Sequence, residues 1–91
     1  MRIGRLGAAL AAFLASAALA AVDVNQASQA DLESVKGIGP ALSSVIVSER
    51  GKGEFRSWAD FMARVSGVGD ASARRFSKAG LTVNGRSYDV K

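Results

Sequence analysis

The sequence predicts an all-α fold: a tandem pair of helical hairpins with four to five short helices in total. The first observation is an internal repeat, because the segment 35–41 (VKGIGPA) recurs 30 residues later as 65–71 (VSGVGDA). Self-similarity at a fixed spacing indicates two copies of one structural unit. The second observation is an amphipathic pattern over 58–65, where apolar residues recur at i, i+3, i+4 and i+7. That spacing is typical of a helix with one buried face.

Residues 1–20 have the pattern of a cleaved export signal. A basic start is followed by an uncharged, alanine-rich run over 6–22, and residues 18–20 (ALA) match a small-x-small cleavage site. An uncleaved anchor is the alternative, although this run is at the lower length limit for spanning a bilayer. We predict cleavage after Ala20 or one residue later, a periplasmic location and no stable membrane insertion of the mature protein.

Removal of this segment makes the remaining charge mild. It contains two of the 12 basic residues, which leaves ten against eight acidic residues and a formal net charge of +2. Such a charge does not by itself indicate a nucleic-acid partner, so the placement of the cations must carry that argument.

The first half of the mature chain reads as an extended lead-in over 21–27 followed by two helices. Ser28 is a suitable N-cap for a helix over 29–35. The second helix covers 40–50, and its apolar residues Leu42, Val45 and Ile46 are expected on one buried face.

In the second half, Phe55 is expected to fill the core and Ser57 to cap the third helix. The fourth helix is predicted over 70–79, with Gly80 as its stop signal. Residues 81–83 can cover the open end of the bundle, which completes a double-hairpin domain over 28–83. The polar segment 84–91 is predicted to be a loose tail that begins with an Asn-Gly turn, with packing of Tyr88 and Val90 against the domain as the alternative.

Each repeat carries a Gly-apolar-Gly turn between two helices. The first glycine can adopt a positive φ and end one helix, and the apolar residue can then point inward. The second glycine opens the next helix and lets a ligand approach the backbone. Free backbone N–H groups at a helix N-terminus favour phosphate oxygens. The candidate phosphate-binding residues are these turns and the nearby cations: Lys36, Gly37, Ile38, Gly39, Ala41, Gly67, Val68, Gly69, Ala71, Arg74, Arg75 and Lys78.

Over residues 23–83 these motifs resemble the tandem helix-hairpin-helix domain of ComEA-type competence DNA-binding proteins. The lead-in 24–28 (VNQAS) is similar to the opening of that family, and the turn 53–55 (GEF) falls in the expected order between the hairpins. The resemblance implies a SAM-like bundle that binds double-stranded DNA through its phosphates, without sequence specificity. It also implies a monomer that receives DNA in the periplasm during natural transformation, with uptake or pilus machinery as further partners. A monovalent cation at a hairpin is compatible with it.

Two departures from the family pattern keep a second class of function open. The family usually has a lysine shortly after each second glycine, whereas this chain has Leu42 in the first repeat and Ala71-Ser72 in the second. Asp70 also places a negative charge at the second turn. The alternative is a protein-interaction or structural adaptor module on the same scaffold, without DNA binding.

Catalysis is not expected. The chain has neither histidine nor cysteine, which excludes His-based catalysis, thiolate chemistry and the usual zinc sites. Its eight acidic residues are scattered rather than clustered for a metal nuclease, and its serines have no base to activate them. We therefore predict no enzyme, no metal site and no required cofactor.

Overall fold

The computed structural model of the protein describes residues 21–88; the predicted export signal and the last three residues lie outside this range. The elements in chain order are β1 (Val22–Asp23), α1 (Gln29–Glu33), α2 (Pro40–Arg50), α3 (Trp58–Arg64), α4 (Asp70–Lys78) and β2 (Leu81–Thr82). Four helices dominate the described residues, so the predicted all-α double-hairpin fold is confirmed. None of these helices is long and apolar enough to cross a bilayer.

Serine residues cap the first helix of each hairpin, as their positions predict. The Ser28 hydroxyl accepts a hydrogen bond from the Asp31 N–H at 3.0 Å, and the Asp31 carboxylate accepts one from the Ser28 N–H. The Ser57 hydroxyl accepts from the Asp60 N–H at 3.0 Å. Helix α1 ends two residues earlier than predicted, because the Val35 N–H bonds to the carbonyl only three residues back, which tightens the last turn.

The core lies between the two hairpins and is built from corresponding positions of the repeat. Ile46 of the first hairpin and Phe76 of the second are both buried, as are the valines at 35 and 65. Phe55 fills the centre as predicted and packs edge-on against Phe61, with 5.1 Å between ring centroids. The amphipathic pattern of α3 therefore describes a core face.

The buried face of α2 differs from the prediction. Val45 is 43% exposed and Leu42 only half-buried, whereas Ser43 is completely buried. The Ser43 hydroxyl donates to Glu33 Oε2 at 2.7 Å and accepts from Gln29 Nε2 at 3.0 Å. A small, fully hydrogen-bonded serine lets α1 and α2 approach closely, and Val45, two residues further along α2, faces solvent.

A short parallel strand pair closes the domain. Val22 pairs with Leu81 and Asp23 with Thr82, and the Val24 N–H donates to the Thr82 carbonyl at 3.0 Å. The lead-in is thus extended only at its start, because the chain turns at 24–26. Leu81 is fully buried, so the segment after α4 covers the bundle as predicted.

The C-terminal segment 84–88 packs against the domain, as the alternative for Tyr88 allows, and is not loose. Asn84 and Gly85 have φ of 55° and 77° and form the predicted turn. The Trp58 indole N–H donates to the Arg86 carbonyl at 2.8 Å, and the Tyr88 ring lies 5.3 Å from the Trp58 ring. The nearly buried indole needs a hydrogen-bond acceptor, and the tail supplies it.

Candidate nucleic-acid interface

The two turns begin in the same way. Gly37 and Gly67 have φ of 98° and 91°, the left-handed region that the sequence predicts. The following residues, Ile38 and Val68, donate their backbone N–H to the carbonyl three residues earlier, at 3.0 and 3.3 Å. Their side chains are almost completely buried. These two candidate residues therefore anchor the turns to the core, and their N–H groups are already engaged within the turns, so neither supplies a free donor to a phosphate.

The second glycines do not serve packing. Gly39 and Gly69 precede α2 and α4 with extended backbones, at φ, ψ of −99°, −173° and −105°, −166°. Side-chain-bearing residues adopt these values readily. A Cβ atom at either position would meet nothing within 4 Å, whereas one at Gly37 would lie 2.9 Å from Phe76 Cε1. The missing side chains at Gly39 and Gly69 thus leave open space beside exposed backbone.

Free backbone N–H groups border this open space. The first helical bonds run from Ser43 to the Gly39 carbonyl and from Ala73 to the Gly69 carbonyl, at 2.9 Å each. Ahead of them, the N–H groups of residues 39, 41, 42 and 69–72 donate no hydrogen bond within the described range 21–88. Ala41 and Ala71 are both exposed. Each turn therefore presents a set of free donors at the positive end of a helix dipole.

Three of the four candidate cations lie together. Lys36, Arg75 and Lys78, here called the cation cluster, line one open pocket with Gly37 and Ala79. None of the three forms an ion pair with any residue in the part of the chain described. Helix α4 thus supplies two cations to the first turn, whose own helix has the apolar Leu42 near its start.

Arg74 is not part of the cation cluster. Its guanidinium forms an ion pair with Asp70, one helical turn earlier in α4 and beside the second turn. The other oxygen of Asp70 accepts a hydrogen bond from the Tyr88 hydroxyl. That bond and partial desolvation raise the pKa of Tyr88 above its ordinary value. Sequence reasoning missed this contact of Tyr88, since no local pattern connects it to a turn 18 residues away.

A second charged group lies away from both turns and holds the connection between the hairpins. Arg64 contacts Glu49 Oε1 at 3.4 Å and Asp60 Oδ2 at 3.1 Å, and its guanidinium lies 4.4 Å from the Phe55 ring centroid. The pKa of Glu49 is lowered mainly by its hydrogen bond from Lys52. Arg64 and Lys52 are therefore engaged within this group, which makes it structural.

Taken together, the fold and the two turns define a class of protein: a double-hairpin domain with free amides at two helix N-termini. A family model described as a helix-hairpin-helix motif matches residues 18–78, more than half of the chain. The chain belongs to the helix-hairpin-helix family, and this motif indicates nucleic-acid binding. Neither the curated proteins nor the solved structures gave a match. The finer likeness to ComEA-type competence proteins remains a prediction.

Proposed function

We propose that this protein binds double-stranded DNA without sequence specificity, with phosphate groups held at the two glycine turns. The observation that carries the proposal is a contrast between helix starts. Ser28 and Ser57 cap α1 and α3 with their side chains, whereas the N-cap residues of α2 and α4 are Gly39 and Gly69, which make no side-chain cap. Serine is at least as good an N-cap as glycine, and nothing in the packing excludes it at either turn. A ligand that uses the free amides accounts for glycine at both places.

The chemistry of these amides suits phosphate. Several N–H groups converge at each helix start, and the helix dipole adds a partial positive charge. Such contacts fix the position of the DNA backbone and carry no base information, which is why we propose binding without sequence specificity. The repeat gives two similar sites, one for each strand across a minor groove. No cofactor is required, although a monovalent cation at a turn is compatible with the proposal.

The cation cluster supports the first site. Leu42 cannot attract phosphate, but Lys36, Arg75 and Lys78 lie beside the same turn. Their charges act at longer range than the amide bonds and should contribute most of the salt dependence of binding.

We further propose that the protein is exported and receives DNA in the periplasm during natural transformation, in contact with uptake or pilus machinery. The export-signal pattern over 1–20 and the ComEA resemblance support this role. N-terminal sequencing of the protein from a periplasmic fraction tests the first step, with Ala21 expected as the first residue. A cytoplasmic protein that keeps its first 20 residues would contradict it.

We also propose that the chain is not an enzyme. Apart from Glu54, the carboxylates in the described region have structural partners: Asp31 and Asp60 accept backbone N–H bonds near helix starts, and Glu33 accepts from a buried serine. Glu49 and Asp70 pair with cations. Incubation of purified protein with plasmid DNA and divalent metal ions should leave the DNA intact.

Fluorescence anisotropy with unrelated labelled duplexes tests DNA binding directly. The chain from Ala21 to Lys91, which contains the whole described fold, should bind all duplexes with similar affinity. Gly39→Ser and Gly69→Ser add a side-chain cap that takes the same amides, so each should lower affinity at least about tenfold, the equivalent of one charge-assisted hydrogen bond. Both variants should remain at least as stable as the parent.

The matched control is Ser57→Gly, which makes the reverse exchange at a helix start outside the turns. It should leave affinity unchanged while it lowers stability by a few tenths of a kcal/mol. If no duplex binds even at low salt, the DNA proposal fails and the adaptor alternative gains support. The exposed Val45 on α2 would then be the first surface to test for a protein partner.

A further inference from the structure

The second turn contains a group that is unexpected in a phosphate site. Asp70 is the first residue of α4 and lies between Gly69 and Ala71, whose N–H groups are free. A carboxylate at this position repels phosphate. It can also accept hydrogen bonds from the free amides of its own helix start, in competition with a ligand.

In the structure, the Asp70 carboxylate is held by two side chains instead. The Tyr88 hydroxyl donates to Oδ1, and the Arg74 guanidinium donates to Oδ2. The carboxylate accepts from these two side chains and from none of the N–H groups of residues 69–72. Both oxygens are therefore engaged away from the amides, and the cation at Arg74 offsets the negative charge.

The position of the Tyr88 hydroxyl is set by the packing of the C-terminal segment. The Tyr88 ring packs on Trp58, and its backbone N–H donates to the Ser77 hydroxyl at 2.9 Å. Two residues earlier, the Arg86 carbonyl accepts the Trp58 indole N–H. These contacts attach the segment to both α3 and α4, and they fix the position of the Tyr88 hydroxyl beside the second turn.

We propose that Tyr88 is a positioning residue of the second phosphate site: it holds the Asp70 carboxylate aside and so keeps the turn's amides free for DNA. The inference rests on the proposed function. It makes the segment 84–88 part of the binding unit, although this segment lies beyond the residues 18–78 that the family model matches.

A double-mutant cycle tests the coupling. Tyr88→Phe removes the hydroxyl and keeps the ring on Trp58, and it should weaken duplex binding about fivefold, a difference of about 1 kcal/mol. Asp70→Asn removes the charge and should bind at least as tightly as the parent. Adding Tyr88→Phe to Asp70→Asn should then change nothing further. Thr82→Val is the matched control, because Thr82 also donates a hydroxyl hydrogen bond to a carboxylate, that of Asp23, and should not alter affinity.

A second readout needs no DNA. In the free protein, the amide-proton resonances of Ala71 and Ser72 should move downfield in Tyr88→Phe, because the released carboxylate accepts their hydrogen bonds. The same resonances should not respond to Tyr88→Phe when residue 70 is asparagine.

The outcomes separate this inference from the proposed function. Absence of duplex binding by the parent chain refutes the proposed function. If the parent binds duplex DNA and Tyr88→Phe binds it with the same affinity, the inference about Tyr88 is overturned and the proposed function stands. The inference is also overturned if Tyr88→Phe lowers DNA affinity equally in the parent and in the Asp70→Asn variant. Tyr88 would then act by direct DNA contact or by folding, and not through Asp70.

Discussion

The cation cluster makes the salt dependence of DNA binding a quantitative prediction. Lys36, Arg75 and Lys78 line one pocket beside the first turn, without ion-pair partners among residues 21–88. Changing Lys78 to Gln removes one of these charges and keeps most of the aliphatic stem. Because Lys78 is exposed at the end of α4, we expect little effect on folding.

The magnitude follows from counterion release. Each cation that neutralises a phosphate contributes about −0.9 to the slope of log K against log salt on B-form DNA. The three cations of the cluster predict a slope of about −2.7, so affinity should fall about 40-fold between roughly 50 and 200 mM salt. In Lys78→Gln the slope should be about −1.8 and the fall over the same interval about 12-fold.

Anisotropy titrations at four or more salt concentrations give both slopes. Lys52→Gln is the matched control, because it removes the same charge from the loop after α2, where Lys52 pairs with Glu49. Its slope should equal that of the parent. If Lys78→Gln and Lys52→Gln reduce the slope equally, the effect reflects net charge alone, and the assignment of the cation cluster to a phosphate site is refuted.

Three further predictions concern folding. Gly37→Ala and Gly67→Ala both place a Cβ on a residue with positive φ, so both should lower the free energy of unfolding measured in urea. Gly37→Ala should lower it by about 1 kcal/mol more, because its Cβ would also meet Phe76. Equal decreases for the two variants would contradict this. Asn25→Ala should lower the free energy of unfolding by about 2 kcal/mol in the same assay, because the Asn25 amide bonds to both the N–H and the carbonyl of buried Phe55. An unchanged free energy of unfolding would contradict that role. The pKa of Asp60 is lowered, first by the Arg56 backbone N–H, so its contribution to stability should be present at neutral pH and lost below about pH 4. Asp60→Asn should reduce this acid sensitivity, and an unchanged pH profile would exclude the contribution.

Local patterns in the sequence were sufficient to predict the helices and the two turns between them. Ser28 and Ser57 cap helices as predicted, and the first glycine of each turn has the expected positive φ. Each of these features depends on residues within about four positions, which is the range over which capping and turn chemistry act. The repeat then placed the two turns in corresponding positions.

Features that depend on distant partners were missed. The polar residues of the C-terminal segment predict a loose tail, but Trp58 supplies an indole N–H that bonds to it from 28 residues away. The apolar residues of α2 predict its buried face, yet buried Ser43 is polar and is satisfied by the side chains of α1. The arrangement of the candidate site was hidden for the same reason. Arg74 and Arg75 are neighbours in sequence, but Arg74 pairs with Asp70 beside the second turn and Arg75 lies beside the first.

The parallel pairing of β1 and β2 also has a mechanical consequence. Because both strands run in the same direction, the chain enters the pair at one end and leaves at the other. Tension applied between the residues before Val22 and those after Thr82 therefore pulls the strands along their length, in shear. In that geometry the bonds from Val22 to Gly80 and from Val24 to Thr82 bear the load together, whereas an antiparallel pair pulled from one end opens bond by bond. The short strand pair should therefore resist stretching of the chain, and it lies outside the two turns that we propose hold DNA.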